Sequence, residues 1–279
     1  MTQLVPTLDH VVVNVRDRIG EGADTYRRLG FTLTPRGYHT LGSMNHLAMF
    51  GTDYLELIAA EPGNTKRPEI LTAAEGLNGL VFGTEDSAAT HFALERAGIA
   101  VFPPEEFSRP VALAEGNRDA VFRTVRLMPG MVPAGRLYFC QHFSRNLVWR
   151  DEWRHHANGV TGVSRAVIAA RDPSDLSALF DRMFGAGATR PIEGGRSLTV
   201  GCSRFDVVTP DALRSEFGDA APDGGGRDSY MAALEFRTRS MDAAWAAMQS
   251  GGISRAMRVA DRVVVPATEA FGAALAFCL

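Results

Sequence analysis

With 279 residues, 46% of them hydrophobic and 22% charged, the chain has the make-up of a soluble globular protein long enough for two ordinary domains. A formal net charge of -3 leaves no basic footprint, which argues against nucleic acid or an anionic membrane as a main partner. No apolar run approaches the roughly 18 residues that span a bilayer, MTQLVPTLDH reads as no signal peptide, and three scattered cysteines (Cys140, Cys202, Cys278) argue against a disulfide framework. A cytoplasmic protein is expected.

The chain opens on a β-branched strand, LDHVVVNV, with His10 near its start. After Asp17 comes a helical stretch, DTYRRLG, in which Tyr26 and Leu29 share a face and Gly30 closes the helix. FTLTPRGYH reads as strand and turn, and NHLAMF and DYLELIAA form a hairpin about Gly51-Thr52. The order is β-α-β-β-β. A Pro/Gly link (EPGNTKRPE) leads to a second copy: LNGLVFGTED, a helix opened by Asp86 and carrying Phe92, Leu94 and Ala97 on its apolar face, then VFPPEEFSRPV, DAVFRTVRLMP and RLYFCQHF. Residues 149–160 read as a connector. The third copy is VSRAVIAARD, a helix with Pro173 in its first turn, RSLTVGCS and RFDVVTP. The fourth runs from YMAALEFRTRS through MDAAWAAMQSGGI to AALAFCL.

One such unit exposes an unpaired edge and an apolar face, so copies must pair. The expected fold is α+β: four βαβββ modules forming two open, curved mixed sheets, each around a cavity. The expected domains are residues 1–148, which carry the candidate site, and residues 161–279, a degenerate partner.

This pattern resembles the vicinal oxygen chelate superfamily (glyoxalase I, extradiol dioxygenases, fosfomycin and bleomycin resistance proteins), and within it the glyoxalase-like domain group. The resemblance rests on LDHVVVNVRD, the YRRLGF helix end, GSMNHLAMFGTDYLELI and YFCQHFSRNLVW followed by HHANG. It implies a divalent metal held by first and fourth strands of paired modules. Carried over by position, His10 and Glu56 become ligands, and Gly79 stands where the second module's first-strand ligand belongs. Matching Tyr138 to Tyr54 makes His142 the third ligand, and a one-residue slip would make it Gln141. Two histidines and a carboxylate suit Fe, Mn, Zn or Ni, and open coordination positions would let such an ion polarise a substrate oxygen.

Read without the resemblance, a carboxylate inside LELIAA is costly to bury unless paired or metal-bound. A lone Glu56 reads as an edge residue or an arginine's partner, and a lone His10 as a hydrogen-bonded core histidine. Together, on adjacent strands, they favour a metal site, with Glu56 also a candidate catalytic group. His46 reads as a turn residue, or functionally as a fourth ligand or a catalytic base. Of Arg109, Arg123 and Arg126, Arg123 is the candidate to bind an anionic substrate group, alongside Tyr138. In the C-terminal half Arg165 replaces His10 and Val207 replaces Glu56, so the same metal site is not expected there. The leading expectation is a metal-dependent lyase, isomerase or dioxygenase acting on a small oxygen-chelating molecule, in a chain that could pair as a homodimer. A metal-free sequestration protein would instead pair Glu56 with an arginine. A purely structural dimer would plug its cavity with Phe122, Phe139 and Tyr138.

Overall fold

The computed structural model describes residues 3–113 and 116–279. These form two eight-stranded mixed sheets. The first contains β1 (Leu8–Asn14), β2 (Gly37–Tyr38), β3 (Ser43–Met49), β4 (Tyr54–Ala60), β5 (Gly76–Gly83), β6 (Glu105–Leu113), β7 (Gly116–Arg126) and β8 (Arg136–His142), in the order β2-β3-β4-β1-β5-β8-β7-β6. The second contains β9 (Val160–Ala170), β10 (Thr189–Ile192), β11 (Gly195–Val200), β12 (Ser203–Val208), β13 (Ser229–Thr238), β14 (Met257–Val259), β15 (Arg262–Val265) and β16 (Ala274–Cys278). Its order, β10-β11-β12-β9-β13-β16-β15-β14, repeats the first. In each sheet the two central strands are antiparallel and each has a parallel neighbour from its own module. The α+β architecture of paired modules is therefore present twice.

The helices are α1 (Ile19–Arg28), α2 (Pro68–Thr72), α3 (Ser87–Arg96), α4 (Arg145–Val148), α5 (Pro173–Phe184), α6 (Pro210–Phe217) and α7 (Met241–Ser250). Asp86 caps α3 by accepting from the Ala88 and Ala89 N–H groups, and Asp172 caps α5 ahead of Pro173. Gly30 ends α1 at φ +84°, where a Cβ would meet Asn158 and Ala247. Two local expectations change. Phe92 is 59% exposed with Arg96 over its ring, and most of FTLTPRGYH is irregular, only Gly37–Tyr38 pairing with β3.

Strand alternation divides the apolar residues. Val11, Val13, Leu55 and Leu57 join α1, α5 and the second sheet in one continuous core, in which Phe82, Phe139, Phe205 and Phe236 are fully buried. Val12, Tyr54, Ile58 and Phe122 face the opposite, concave side. There the outer strands meet, Thr40 N–H donating to Ser108 O at 3.1 Å, so the first sheet curls around an enclosed space. The matching face of the second sheet is filled by Leu213 and Phe217 of α6 and by buried ion pairs, where a second cavity was expected.

Candidate functional site

A cavity of about 400 Å³ occupies the concave side of the first sheet. Leu47, Ile58, Phe107 and Phe122 wall it, and its polar lining includes His10, Asn45, Glu56, Arg109, Arg136 and Tyr138.

His10 is aimed by the residue before it. β1 slips against β5 between Leu8 and His10, leaving Asp9 as an extra residue, the kind of bulge that redirects a side chain. The Asp9 carboxylate accepts hydrogen bonds from His10 Nδ1 at 2.5 Å and from His142 Nε2 at 3.1 Å. Burial pushes the Asp9 carboxyl up, but the two imidazoles outweigh it and hold the group well below the ordinary carboxylate range. With Nδ1 committed, His10 presents Nε2 to the cavity. Glu56 Oε2 lies 3.7 Å from that nitrogen and the Tyr138 hydroxyl 3.1 Å from it, while Tyr54 stacks on the ring at 4.4 Å.

Glu56 is 5% exposed. Its Oε1 accepts from Asn45 Nδ2 at 2.6 Å, and Arg109 Nη1 donates to Asn45 Oδ1 at 3.0 Å, which fixes the amide's orientation. Asn45 Nδ2 also points at His39 Nε2, at 3.2 Å, while His39 Nδ1 donates to Ser43 Oγ. Burial pushes His39 down to about 4, so at neutral pH it is the neutral acceptor this arrangement requires. Burial pushes the Glu56 carboxyl up; His39, His10, the Asn45 hydrogen bond and Arg136 together bring it below its ordinary value. Because His39 is uncharged above about pH 4, the Asn45 bond and Arg136 carry more of that effect at neutral pH. The outcome is an ionised, buried carboxylate with no arginine or lysine within ion-pairing distance among the described residues.

The sheet's internal two-fold fixes which positions correspond. His10 pairs with Val81 and Val12 with Gly79, so exchanging the modules places His10 on Gly79. Through Gly79↔Arg136 and Val81↔Tyr138, Tyr54 then corresponds to Arg136, and Glu56 to Tyr138. The match of Tyr138 to Tyr54 is corrected by one strand repeat, and Tyr138 takes the place assigned to His142. His142 lies beyond it with Nε2 on Asp9, its ring packed edge-on against Phe122 and Trp149, and its buried Nδ1 without a partner among the described residues. Gln141 faces the other way, between the Ser87 N–H and Glu85 O. His46 also points away from the cavity, its Nδ1 bonded to Thr34 O, because β3 turns Asn45 and Leu47 inward instead. Arg123 is on the outer face of β7, paired with Glu106 at 2.7 Å and lying over Phe143. Thus the structure brings His10, Glu56 and Tyr138 together and leaves His46, Arg123 and His142 elsewhere.

The second sheet is an internal control. Arg165 occupies the His10 position, as expected, but its cross-strand partner is Arg204, so the Glu56 position falls on Asp206 and not on Val207. Arg165 Nε donates to Asp206 Oδ2 at 2.5 Å, and the same guanidinium binds Glu216 and Glu235. Where the N-terminal half has an imidazole beside a carboxylate, the C-terminal half has a built-in cation.

Two donor sets could hold a metal ion. Asp9, Cys140 and His142 offer ligand atoms within 4.8 Å of one another. Yet Asp9 already accepts from His142 and His10, and burial, followed by the nearby Asp9 and Glu56 carboxylates, pushes the Cys140 thiol far above its usual range. His10 and Glu56 fit better. In the neutral imidazole, the Nδ1–H donated to Asp9 leaves Nε2 as an acceptor, so two acceptors face each other at 3.7 Å, as a shared cation requires.

Sequence reasoning missed Asp9, Asn45 and Arg136, and it named Arg109 but preferred Arg123. Arg136 was within reach, since it shares strand parity with Tyr138. Asn45 differs in parity from His46, but nothing in the sequence says which parity faces inward.

The family profile described as "Glyoxalase-like domain" matches residues 8–184. No protein of curated function matches the chain in sequence. Among solved structures, a hypothetical protein from Staphylococcus aureus aligns over 98% of this chain and 99% of its own, at 12% identity and TM-score 0.68. A xylose isomerase-like TIM barrel/4-hydroxyphenylpyruvate dioxygenase fusion protein aligns over 99% of this chain and 49% of its own, at 14% identity and TM-score 0.61. A mutant 4-hydroxymandelate synthase from Streptomyces coelicolor aligns over 93% and 78%, at 13% identity and TM-score 0.54. At these identities the likeness is one of fold.

Proposed function

The chain belongs to the glyoxalase-like domain family of the vicinal oxygen chelate superfamily, and from that footing we propose a divalent-metal enzyme acting on a small organic molecule through the latter's oxygen atoms. One observation carries the reading: an ionised, buried Glu56 with no guanidinium or ammonium within ion-pairing distance among the described residues, facing the cavity beside a histidine whose other nitrogen is held by Asp9. Buried carboxylates of this kind are paired or metal-bound, and the equivalent Asp206 has its cation supplied by Arg165.

His10 and Glu56 would hold an Fe(II), Mn(II), Zn(II) or Ni(II) ion, which supplies Lewis-acid polarisation of a substrate oxygen. The chain's own groups do the rest. Asp9 fixes the His10 tautomer, and the Tyr138 hydroxyl can donate to a substrate oxygen seated beside His10 Nε2. The curled sheet and the apolar walls of Leu47, Phe107 and Phe122 would limit the water around a bound substrate. Oxygenation, isomerisation and lyase chemistry all start from a substrate oxygen in that place. In this reading residues 1–148 perform the reaction and residues 161–279 are their structural partner.

The sequestration alternative requires an arginine on Glu56. Arg109 instead stops at Asn45, one residue short. A cavity plugged by Phe122, Phe139 and Tyr138 is not what forms: the space is open, and Phe139 lies in the core on the other face. The test is the melting temperature of chelated protein with each of the four ions added in turn. A rise with at least one ion is expected, about 2.7 kcal/mol of stabilisation at a hundredfold excess over Kd. No rise with any of them contradicts the proposal.

A further inference from the structure

Five cationic side chains line the cavity: Lys66, Arg67, Arg109, Arg126 and Arg136. Their partners sort them. Lys66 is exposed, Arg67 is paired with Glu69, and Arg126 with Glu105 at 2.5 Å. Among the described residues, Arg109 and Arg136 are hydrogen-bonded only to neutral amides: Arg109 Nη1 donates to Asn45 Oδ1 and Arg136 Nε to Asn78 Oδ1, each at 3.0 Å. Among the described residues, Arg109 Nε and Arg136 Nη2 are buried without an acceptor. Burial holds both guanidiniums below their ordinary range.

Glu56 is tied to Arg109 through Asn45 and acts on Arg136 only through space. Among the described residues no carboxylate pairs with Arg136. Its Nη2 lies 3.9 Å from where a side chain on Gly79 would begin, so it reaches across the gap that the missing fourth ligand leaves. It shares the inward face of β8 with Tyr138. A buried cation held by a neutral amide, with an unsatisfied donor at a cavity wall, is completed by an incoming anion.

We propose that Arg136 is the seat of a substrate carboxylate, and that the molecule the cavity receives is a small carboxylic acid with an apolar or aromatic body. Leu47, Phe107 and Phe122 line the body's place, and Phe102 and Met128, 36% and 40% exposed, form an apolar mouth. This assignment deepens the metal-enzyme reading by naming the acid its substrate would be, but it stands on Arg136, so it can be tested apart from the metal.

The experiment is calorimetric titration of the full-length protein, as purified and again after chelation, with benzoate, phenylacetate and 3-phenylpropanoate and with their neutral amides. At least one acid should bind more tightly than its amide by about tenfold or more, the value of a charge-assisted hydrogen bond. Arg136→Gln should bring that ratio to about one by weakening the acid alone, Arg136→Lys should restore part of it, and Arg123→Gln should leave it unchanged. His10→Ala, which removes the metal site, should keep the preference for acid. Equal binding of acid and amide by wild type, no binding of any acid, or a folded Arg136→Gln protein that still prefers the acid overturns the proposal. If Arg136→Gln fails to fold, Arg136→Lys carries the assignment, and equal binding of acid and amide by wild type still overturns it.

Discussion

Replacing Asp9 with asparagine separates a structural role from a metal-supporting one. The carboxylate accepts from two buried imidazoles, and a hydrogen bond to an ionised group contributes ~1.5–3 kcal/mol. An asparagine keeps one acceptor and turns its NH₂ toward the other ring, so about half of the total is lost, roughly 1.5–3 kcal/mol. With ~2.1 cal/mol/K per residue over 279 residues, that loss lowers Tm by ~3–5 °C. The Asp9 carboxyl titrates below its ordinary 3.8 in the folded chain, so its contribution is complete above that value and lost only as pH falls through the folded value. The gap between wild type and Asp9→Asn is therefore flat from roughly pH 5 to 8. Metal affinity, read by competition with a chromogenic chelator, should fall ~10–100-fold because His10 loses the group that fixes its tautomer. A variant within ~0.5 kcal/mol of wild type in urea unfolding, with metal affinity unchanged, would refute this account of Asp9.

Glu56→Gln can still accept from Asn45 but gives up a charge that the folded chain holds below its ordinary carboxyl value, so the chelated variant should melt at or slightly below wild type and bind no metal; metal affinity equal to wild type would count against Glu56 as a ligand. Asp53, 3% exposed and accepting from the Val163 N–H, is raised by burial from 3.8 to about 6. The folded state then binds its proton first, so the stability of wild type relative to Asp53→Asn should rise by up to ~3 kcal/mol as pH falls through 6 toward 4. His156 has the opposite sign. It accepts from the Thr32 N–H at Nδ1, is bonded to Met49 O through Nε2, and is pushed by burial from 6.5 to about 4, so the neutral ring belongs to the folded state. The stability of wild type relative to His156→Gln should therefore fall by up to ~3 kcal/mol as pH drops from 6.5 to 4, in urea unfolding of both proteins followed against pH.

The fold was legible because it is a repeat. LDHVVVNV, LNGLVFG, VSRAVIAA and YMAALEF announce the four central strands, and Asp86 and Asp172 mark helix starts that the structure confirms as caps. His10 and Glu56 were legible as two polar groups in apolar strands. What sequence does not carry is register. The extra residue at Asp9 is invisible without its partner strand, yet it brings Asp9 onto both His10 and His142. A shift of one position separated Val207 from Asp206, and a shift of two turned Tyr138 from the counterpart of Tyr54 into that of Glu56. Arg123 and Arg136 look alike in a string of letters. Only the pairing of β7 with β6 shows that Arg123 meets Glu106 on the outer face.

The most direct test of the central claim is elemental analysis of the protein purified without chelator and reconstituted separately with Fe(II), Mn(II), Zn(II) and Ni(II), beside His10→Ala and Glu56→Ala. About one equivalent of a single ion in wild type, lost in both variants while His142→Ala retains it, is the predicted result. Wild type without stoichiometric metal under every condition, or metal that persists in both variants and disappears with His142→Ala, would contradict it.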